Sequence, residues 1–503
     1  MTHQTLAPWS MCLATVEETF EMPVTRNASI AWKNASADDR QMLDNLQPNI
    51  LKPHTREFLT LLFLDFTDPA GGRAFLAGIG ASMKSAWTHL KEVDQFKANK
   101  KPGTPYVGLG LTAAGYKALG IGKSPTDPSF QGGMQANKGL NDPAVGTWDA
   151  PFHKKDQLHA VLIVADTGLA SKSARQSQIV DAIHAARGIV ILGIQDGVGQ
   201  HNANGDGIEH FGYVDGRSQP LYLQEDIADE RATTDGTTVW NPEFPLGHAI
   251  VPDPAAPDPL IHFGSYFVFR KLEQNVKLFK EEELRFAKDL KLDDKELSGG
   301  FIVGRFEDGT PVTLQSGEGM KHPVPNDFDY DSDEHAGKCP FAGHIRKTNP
   351  RGSAGAEPPE KEREHLMPRR GQTYGVRTDD PNDGATDNKP TGDVGLLFMA
   401  FNSNIANQFE FTQIVWANNG NFPGRTPAPG VDPVIGQTPK DALRPKMSCP
   451  REWGSAGTTT LATAPRRAVT MKGGEYFFMP SLAFLRALSA PAATAASSTK
   501  TAS

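Results

Sequence analysis

An α+β fold built from two like units is what this sequence predicts, and three observations carry the prediction. Short apolar runs of strand length alternate with stretches of helical spacing through the first 200 residues. A similar alternation returns between residues 265 and 488. A chain of 503 residues is also too long for one ordinary core, which makes two domains the natural division.

Leu59-Thr-Leu-Leu-Phe-Leu-Asp-Phe66 is the first convincing strand, followed by a mostly helical stretch to about Lys101. Tyr106–Leu111 reads as a second strand, leading into a short helix through Tyr116 and Leu119. Leu158–Ala165 is apolar enough to be buried on both faces. Residues 169–187 show helical spacing through Ile179, Ile183 and Ala186 and stop at Gly188, before a fourth strand at Ile189–Ile194. Strand, helix, strand, strand, helix, strand is the ferredoxin-like order. The second set opens at Ser265–Phe269 and continues with a charged helix around 272–292 and a strand at Gly395–Phe401. A helix from Ile405 to Trp416, a strand at Tyr476–Phe478 and a last helix to about Leu488 complete it. The boundaries expected are an N-terminal arm at 1–45, a first ferredoxin-like domain at 46–225 and a second at 226–488. A disordered Ala/Ser/Thr tail is expected at 489–503. Residues 307–390 and 419–465, rich in Gly, Pro and Asp, read as long loops of the functional kind.

The bulk numbers exclude several classes. A net charge of −8 leaves no basic excess for nucleic-acid phosphates. No apolar run approaches the roughly 18 residues of a membrane span. Met1–Phe20 has no basic region leading into an apolar one, so a cytoplasmic location is expected. Cys12, Cys339 and Cys449 are too few and too scattered for a disulfide framework or a zinc site. There is no C-x-x-C-H, so any haem would be held non-covalently. Asn202–Gly207 begins like a calcium loop, but Tyr213 stands where a bidentate Glu is required.

Three stretches could carry chemistry. Cys339-Pro-Phe-Ala-Gly-His344-Ile-Arg346-Lys-Thr-Asn-Pro-Arg351 sets one imidazole, the commonest ligand for metals and haem, among cations that suit an anionic cofactor. Gly212-Tyr-Val-Asp215-Gly216 places a carboxylate beside a glycine that permits close approach of another surface, or simply makes a turn. Arg369-Arg370-Gly371 offers a guanidinium for a developing negative charge, or a solvated pair.

Together these stretches resemble the dye-decolorizing peroxidases, a haem peroxidase family, in its larger fungal and bacterial members. Gly212–Gly216 matches the family's G-x-x-D-G motif, Cys339–Arg351 its proximal-histidine segment, and Arg369-Arg-Gly-Gln-Thr-Tyr374-Gly its distal-arginine segment. Gly395–Phe398, Gln408–Phe411, Gly430-Val-Asp432-Pro and Gly474–Phe478 also match, all in family order, from about residue 46 to 488. The resemblance implies two ferredoxin-like domains and one non-covalent haem b per chain, bound mainly by the C-terminal domain. It implies oxidation of dyes, phenols and other aromatic reductants by hydrogen peroxide through a ferryl–porphyrin radical. A haem-handling protein, which removes iron from haem or carries it, would use His344 without needing Asp215 and Arg369 together.

By the same resemblance His344 is the iron ligand and Asp432 the acceptor for its other ring nitrogen. Arg346 and Arg351 are unranked candidates for the propionates. Asp215 is the acid–base group and Arg369, at the family's distance from Gly371, the distal guanidinium. Leu396 and Phe398 line the distal pocket. A carboxylate in the acid–base role titrates near 4 as a free side chain, against about 6.5 for a histidine, so an acidic optimum is expected. Large dyes cannot enter such a pocket, and Tyr374 and Trp416 match positions proposed in the family as surface radical sites. Oligomeric state is not legible.

Overall fold

The computed structural model describes residues 23–234, 236–355, 357–380, 385–438 and 445–489. Four strands form the first half: β1 (Phe58–Phe66), β2 (Tyr106–Leu111), β3 (Ala160–Asp166) and β4 (Ile189–Val198). They lie in the order β4-β1-β3-β2, every pairing antiparallel, which is the ferredoxin-like arrangement. All seven residues of β3 are buried, as its composition requires of a central strand covered on both faces. Helices Pro69–Ser82, Ala86–Asn99 and Leu169–Ala185 fill the connections. The first two are capped by the side chains of Asp68 and Ser85, which accept otherwise unpaired N–H groups of the first turn. Gly188 turns the chain into β4 with φ of 67°, and a Cβ there would lie 2.4 Å from the side chain of Asp68.

The second half contributes β5 (Val251–Pro252), β6 (Phe263–Gln274), β7 (Gln372–Tyr374), β8 (Gly395–Asn402), β9 (Lys446–Cys449), β10 (Thr460–Thr463) and β11 (Val469–Met479). Its main strands follow β11-β6-β8-β7, again antiparallel. With β6, β7, β8 and β11 taken as first to fourth, this repeats the order of the first half. The predicted echo is therefore real, although β7 was hidden: three residues flanked by Gly371 and Gly375 carry no periodicity.

The halves join at two seams and curl into one barrel-like sheet. At one seam Phe478 of β11 pairs with Leu111 of β2. At the other, the Thr373 hydroxyl of β7 donates to the Val198 carbonyl of β4, and Gln372 Nε2 donates to Glu57 O at 2.6 Å. Phe63, Phe152 and Phe269 meet between the halves at 4.9–5.8 Å between ring centroids, so the two units share one core.

Three boundary expectations are corrected. Residues 23–45 are not a loose arm: helix Ala37–Asn45 buries Met42 and Leu43, and Ile30 N donates to Tyr222 O at 3.1 Å. The boundary expected at 226 falls inside helix Gln224–Thr233. The expected loops at 307–390 and 419–465 contain helices His344–Thr348 and Pro359–Glu364, strand β7 and the β9–β10 hairpin. The tail from 490, Cys12 and the first 22 residues lie outside the described residues. No helix among the described residues is long and apolar enough to cross a membrane.

Candidate active site

The long connections of the second half fold over β6 and β8 and enclose a cavity with about 1890 Å³ of empty space, its open mouth included. His344 begins the short helix His344–Thr348 and lines this cavity. Its Nδ1 lies 2.8 Å from Asp432 Oδ2. The other carboxylate oxygen, Oδ1, accepts the N–H groups of Val434 and Ile435 at 2.8 and 3.0 Å, which locks the Asp432 rotamer. Asp432 is sealed, whereas the imidazole side chain keeps 27% of its surface open. Burial alone would lower the His344 pKa, but the charge and hydrogen bond of Asp432 win and raise it. Asp432 thus holds the Nδ1–H, and Nε2 is the ring nitrogen left for a ligand. Lys347, one turn on, donates to the carbonyls of Asn419, Phe422 and Gly430 at 2.6–2.8 Å and so pins the loop that delivers Asp432.

Asp215, Arg369, Leu396 and Phe398 line the same cavity. Asp215 is exposed and ends a small hairpin, its N–H donating to Gly207 O at 3.0 Å. Arg369 is held by its N–H to Gln219 Oε1 at 2.9 Å and by a guanidinium contact to Ser218 O at 3.1 Å. Its neighbour Arg370 points away: Nε and Nη2 donate to Asn49 O and Ile50 O at 2.9 and 3.0 Å, tying the second half to the first. Apolar walls come from Leu272, Val303, Phe409, Ile435 and Met471 as well as Leu396 and Phe398.

Four expectations are corrected here. Arg346 does not line the cavity. It is 1% exposed, its Nη1 lies 2.8 Å from Asp333 Oδ2, and it sits 4.3 Å from the rings of both Tyr330 and Phe341. Arg351 is likewise turned inward, to Asn326 O, Phe328 O, Asn326 Oδ1 and Ser218 Oγ at 2.6–3.0 Å. Asp333 and the Cys339 carbonyl take the first guanidinium, and the Nη groups of the second go to Asn326, Phe328 and Ser218. Tyr374 and Trp416 are not surface residues, at 4% and 0% exposure. Trp416 packs edge-on to His365 at 5.2 Å and stacks on Phe422 at 5.5 Å.

The cavity wall also holds residues that no sequence pattern marked: Glu209, Arg217, Arg270, Arg305, His365 and Arg467. Burial lowers Arg305 to about 10, and its Nη groups contact Gly309 O and Asn326 Oδ1 at 2.8 and 3.1 Å. Arg467 is exposed. Glu209 and Arg217 flank the Gly212–Gly216 motif without a role of their own, and the other four lie outside every local motif, so only the folded chain discloses their place.

A carboxylate-backed imidazole, apolar walls wide enough for a flat macrocycle and guanidiniums for anionic side groups are a donor set that fits haem. A carboxylate, Asp215, and a guanidinium, Arg369, line the same cavity and are the kinds of group that peroxide cleavage requires, which points to the peroxidase class. Comparisons agree. The family of the DyP dimeric alpha+beta barrel domain matches residues 45–195. The multifunctional dye peroxidase DyP2 of an Amycolatopsis species is 57% identical over 473 residues, spanning 93% of this chain and 100% of that protein. A dye-decolorizing peroxidase of Mycena epipterygia is 30% identical over 498 residues, spanning 90% of this chain and 88% of that one. The solved structure of the Amycolatopsis DyP2 superposes with a TM-score of 0.89 at 56% identity, covering 92% of this chain and 100% of the other. An Anabaena DyP-type peroxidase gives 0.83 at 35% identity, covering 92% and 97%. The chain belongs to the dye-decolorizing peroxidase family, whose members are haem enzymes.

Proposed function

We propose that the chain is a peroxidase that holds one haem b through His344 and uses hydrogen peroxide to oxidise dyes, phenols and related aromatics. The observation that carries this reading is the pairing, in one cavity, of a carboxylate-backed histidine with Asp215 and Arg369. When bound, haem b supplies the redox chemistry, taking two oxidising equivalents from peroxide and passing them on one electron at a time. The chain's own residues do the rest. Asp432 accepts the His344 Nδ1–H and makes the imidazole a stronger donor. The Asp215 carboxylate takes the proton from one peroxide oxygen and returns it to the other, which leaves as water. Arg369 stabilises the negative charge growing on that departing oxygen, in a cavity where Leu396 and Phe398 exclude water and so strengthen the attraction. Arg467, which lines the cavity and is exposed, replaces Arg346 and Arg351 as the candidate for the propionates.

The test is stopped-flow absorbance of the haem-loaded protein after one equivalent of peroxide, wild type beside Asp215→Asn and Arg369→Leu. A fast peroxide-dependent change of the haem spectrum, slowed at least about tenfold in one variant, is the expected result. Wild type that binds haem but only bleaches would sink the proposal and leave haem carriage in its place.

A further inference from the structure

We propose that Glu209 is a positioning residue for Asp215, and that the Glu209–Gln274 pair stores a proton beside it. The proposal rests on the reading of Asp215 as the acid–base group. The local geometry is a hairpin, with Ile208 bridged to Val214 and Asp215 N donating to Gly207 O. Glu209 organises its turn from both backbone and side chain. Its N–H donates to Tyr213 O at 3.1 Å, and its carbonyl accepts from Gly212 N at 2.9 Å. Its carboxyl oxygens accept the N–H groups of Phe211 and Tyr213 at 2.8 and 3.1 Å. Loss of that carboxyl would free the turn that aims Asp215.

Gln274, at the end of β6, supplies the second observation. Its Nε2 donates to Glu209 Oε2, while its Oε1 is buried with no hydrogen-bond partner among the described residues. An orphaned buried amide oxygen is destabilising where nothing offsets it. A half-turn of this amide would present that oxygen to a protonated Glu209 and recover the bond. Gln274 can therefore serve either protonation state: Nε2–H to the carboxylate, or Oε1 to the carboxylic acid. Burial pushes Glu209 up to about 7, and the negative charge of Asp215 adds to it.

The other charged groups near Glu209 are engaged. His210, the next residue, is turned to Tyr374 O at 2.8 Å and held neutral by burial. Glu307, against Gly212, is paired with Lys280. Arg270 is paired with Asp142, Arg305 faces Gly309 O and Asn326, and Arg369 and Arg467 line the same cavity. Of two neighbouring carboxyls, the one withdrawn from water is the one that takes the proton. Once Glu209 ionises, its negative charge opposes the field that Arg369 must apply to the departing oxygen, so peroxide cleavage slows above neutrality.

The test combines a pH profile with infrared difference spectroscopy on the haem-loaded protein. Wild type should show a protonated-carboxyl band that titrates near neutral pH, and a one-proton fall of at least about threefold in the peroxide reaction between pH 6 and 8. Glu209→Gln should remove both the band and the fall. Gln274→Leu, which deletes the donor to the carboxylate, should move both to higher pH. A band and pH step unchanged in Glu209→Gln, or unmoved in Gln274→Leu, would overturn the proposal. If Asp215→Asn leaves the peroxide reaction intact, the reading of Asp215 fails instead. The infrared band does not depend on peroxide and keeps the two failures apart.

Discussion

The two halves of the barrel share one strand order and differ in what lies between the strands. In the first half the connections are mostly helices that pack against the sheet, such as Pro69–Ser82 and Leu169–Ala185. In the second half, residues 275–371 lead from β6 to β7 and residues 403–468 from β8 to β11, each pair having one strand between them in the sheet, and these stretches carry His344, Arg369 and Asp432. Strand pairing fixes the frame at low cost, and long loops can then be lengthened for function because closure entropy grows only slowly with length. The lesson is a division of labour: one half stabilises, while the other stabilises and also holds the chemistry. The 207–220 segment at the end of the first half, with Asp215, crosses that division.

The sharpest way to break the comparison is to remove its two ends separately. His344→Ala should weaken haemin binding at least about a hundredfold in an absorbance titration while leaving the fold intact. Leu62→Ala, in the first half's core, should cost about 2–5 kcal/mol in denaturant unfolding with haemin affinity unchanged. The division fails if haemin affinity follows Leu62 rather than His344.

Arg346→Met sharpens it next. With Asp333 left buried and unpaired, the loss should be about 3–5 kcal/mol. Because the side chain is outside the cavity, the variant should discriminate haemin from its dimethyl ester as wild type does. Lost discrimination would restore Arg346 as a propionate partner.

Acid should test the halves together. Burial holds His89, in the first half, and His248, at the entry to the second, down to about 4. A histidine whose folded pKa is depressed stabilises the fold above its unfolded value near 6.5, and that stability is lost as pH falls toward 4. Each can cost on the order of 3 kcal/mol at the acid end. His89→Gln should flatten the fall of the unfolding midpoint between pH 7 and 4.5, and an unchanged slope would count against the assignment. The smallest effect is expected at the seam: Thr373→Val loses one hydroxyl bond to Val198 O, about 1 kcal/mol by thermal unfolding.

Much of this was legible in the chain. The apolar runs of β1, β3 and β8 announce buried strands by composition alone, and the echo in the second half follows from the same rule. His344 and Asp432 were identified by resemblance to the family's segments, and the structure sets them 2.8 Å apart across the long connection. Strand β7 and the β9–β10 hairpin were not legible, being too short for any periodicity to register.

What the sequence by itself determined is the frame and the kinds of groups available, because hydrophobic periodicity and residue chemistry are local properties. What only the tertiary structure decided is where each charged group is aimed. Arg346, Arg351, Arg369 and Arg370 look alike in the sequence. Asp333 claims the first, the carbonyls of Asn326 and Phe328 the second, and those of Asn49 and Ile50 the fourth. Arg369, anchored on Ser218 and Gln219, lines the cavity. A guanidinium turns toward whichever acceptors the folded chain sets within about 3 Å of it, and those acceptors come from segments hundreds of residues away as well as from near neighbours.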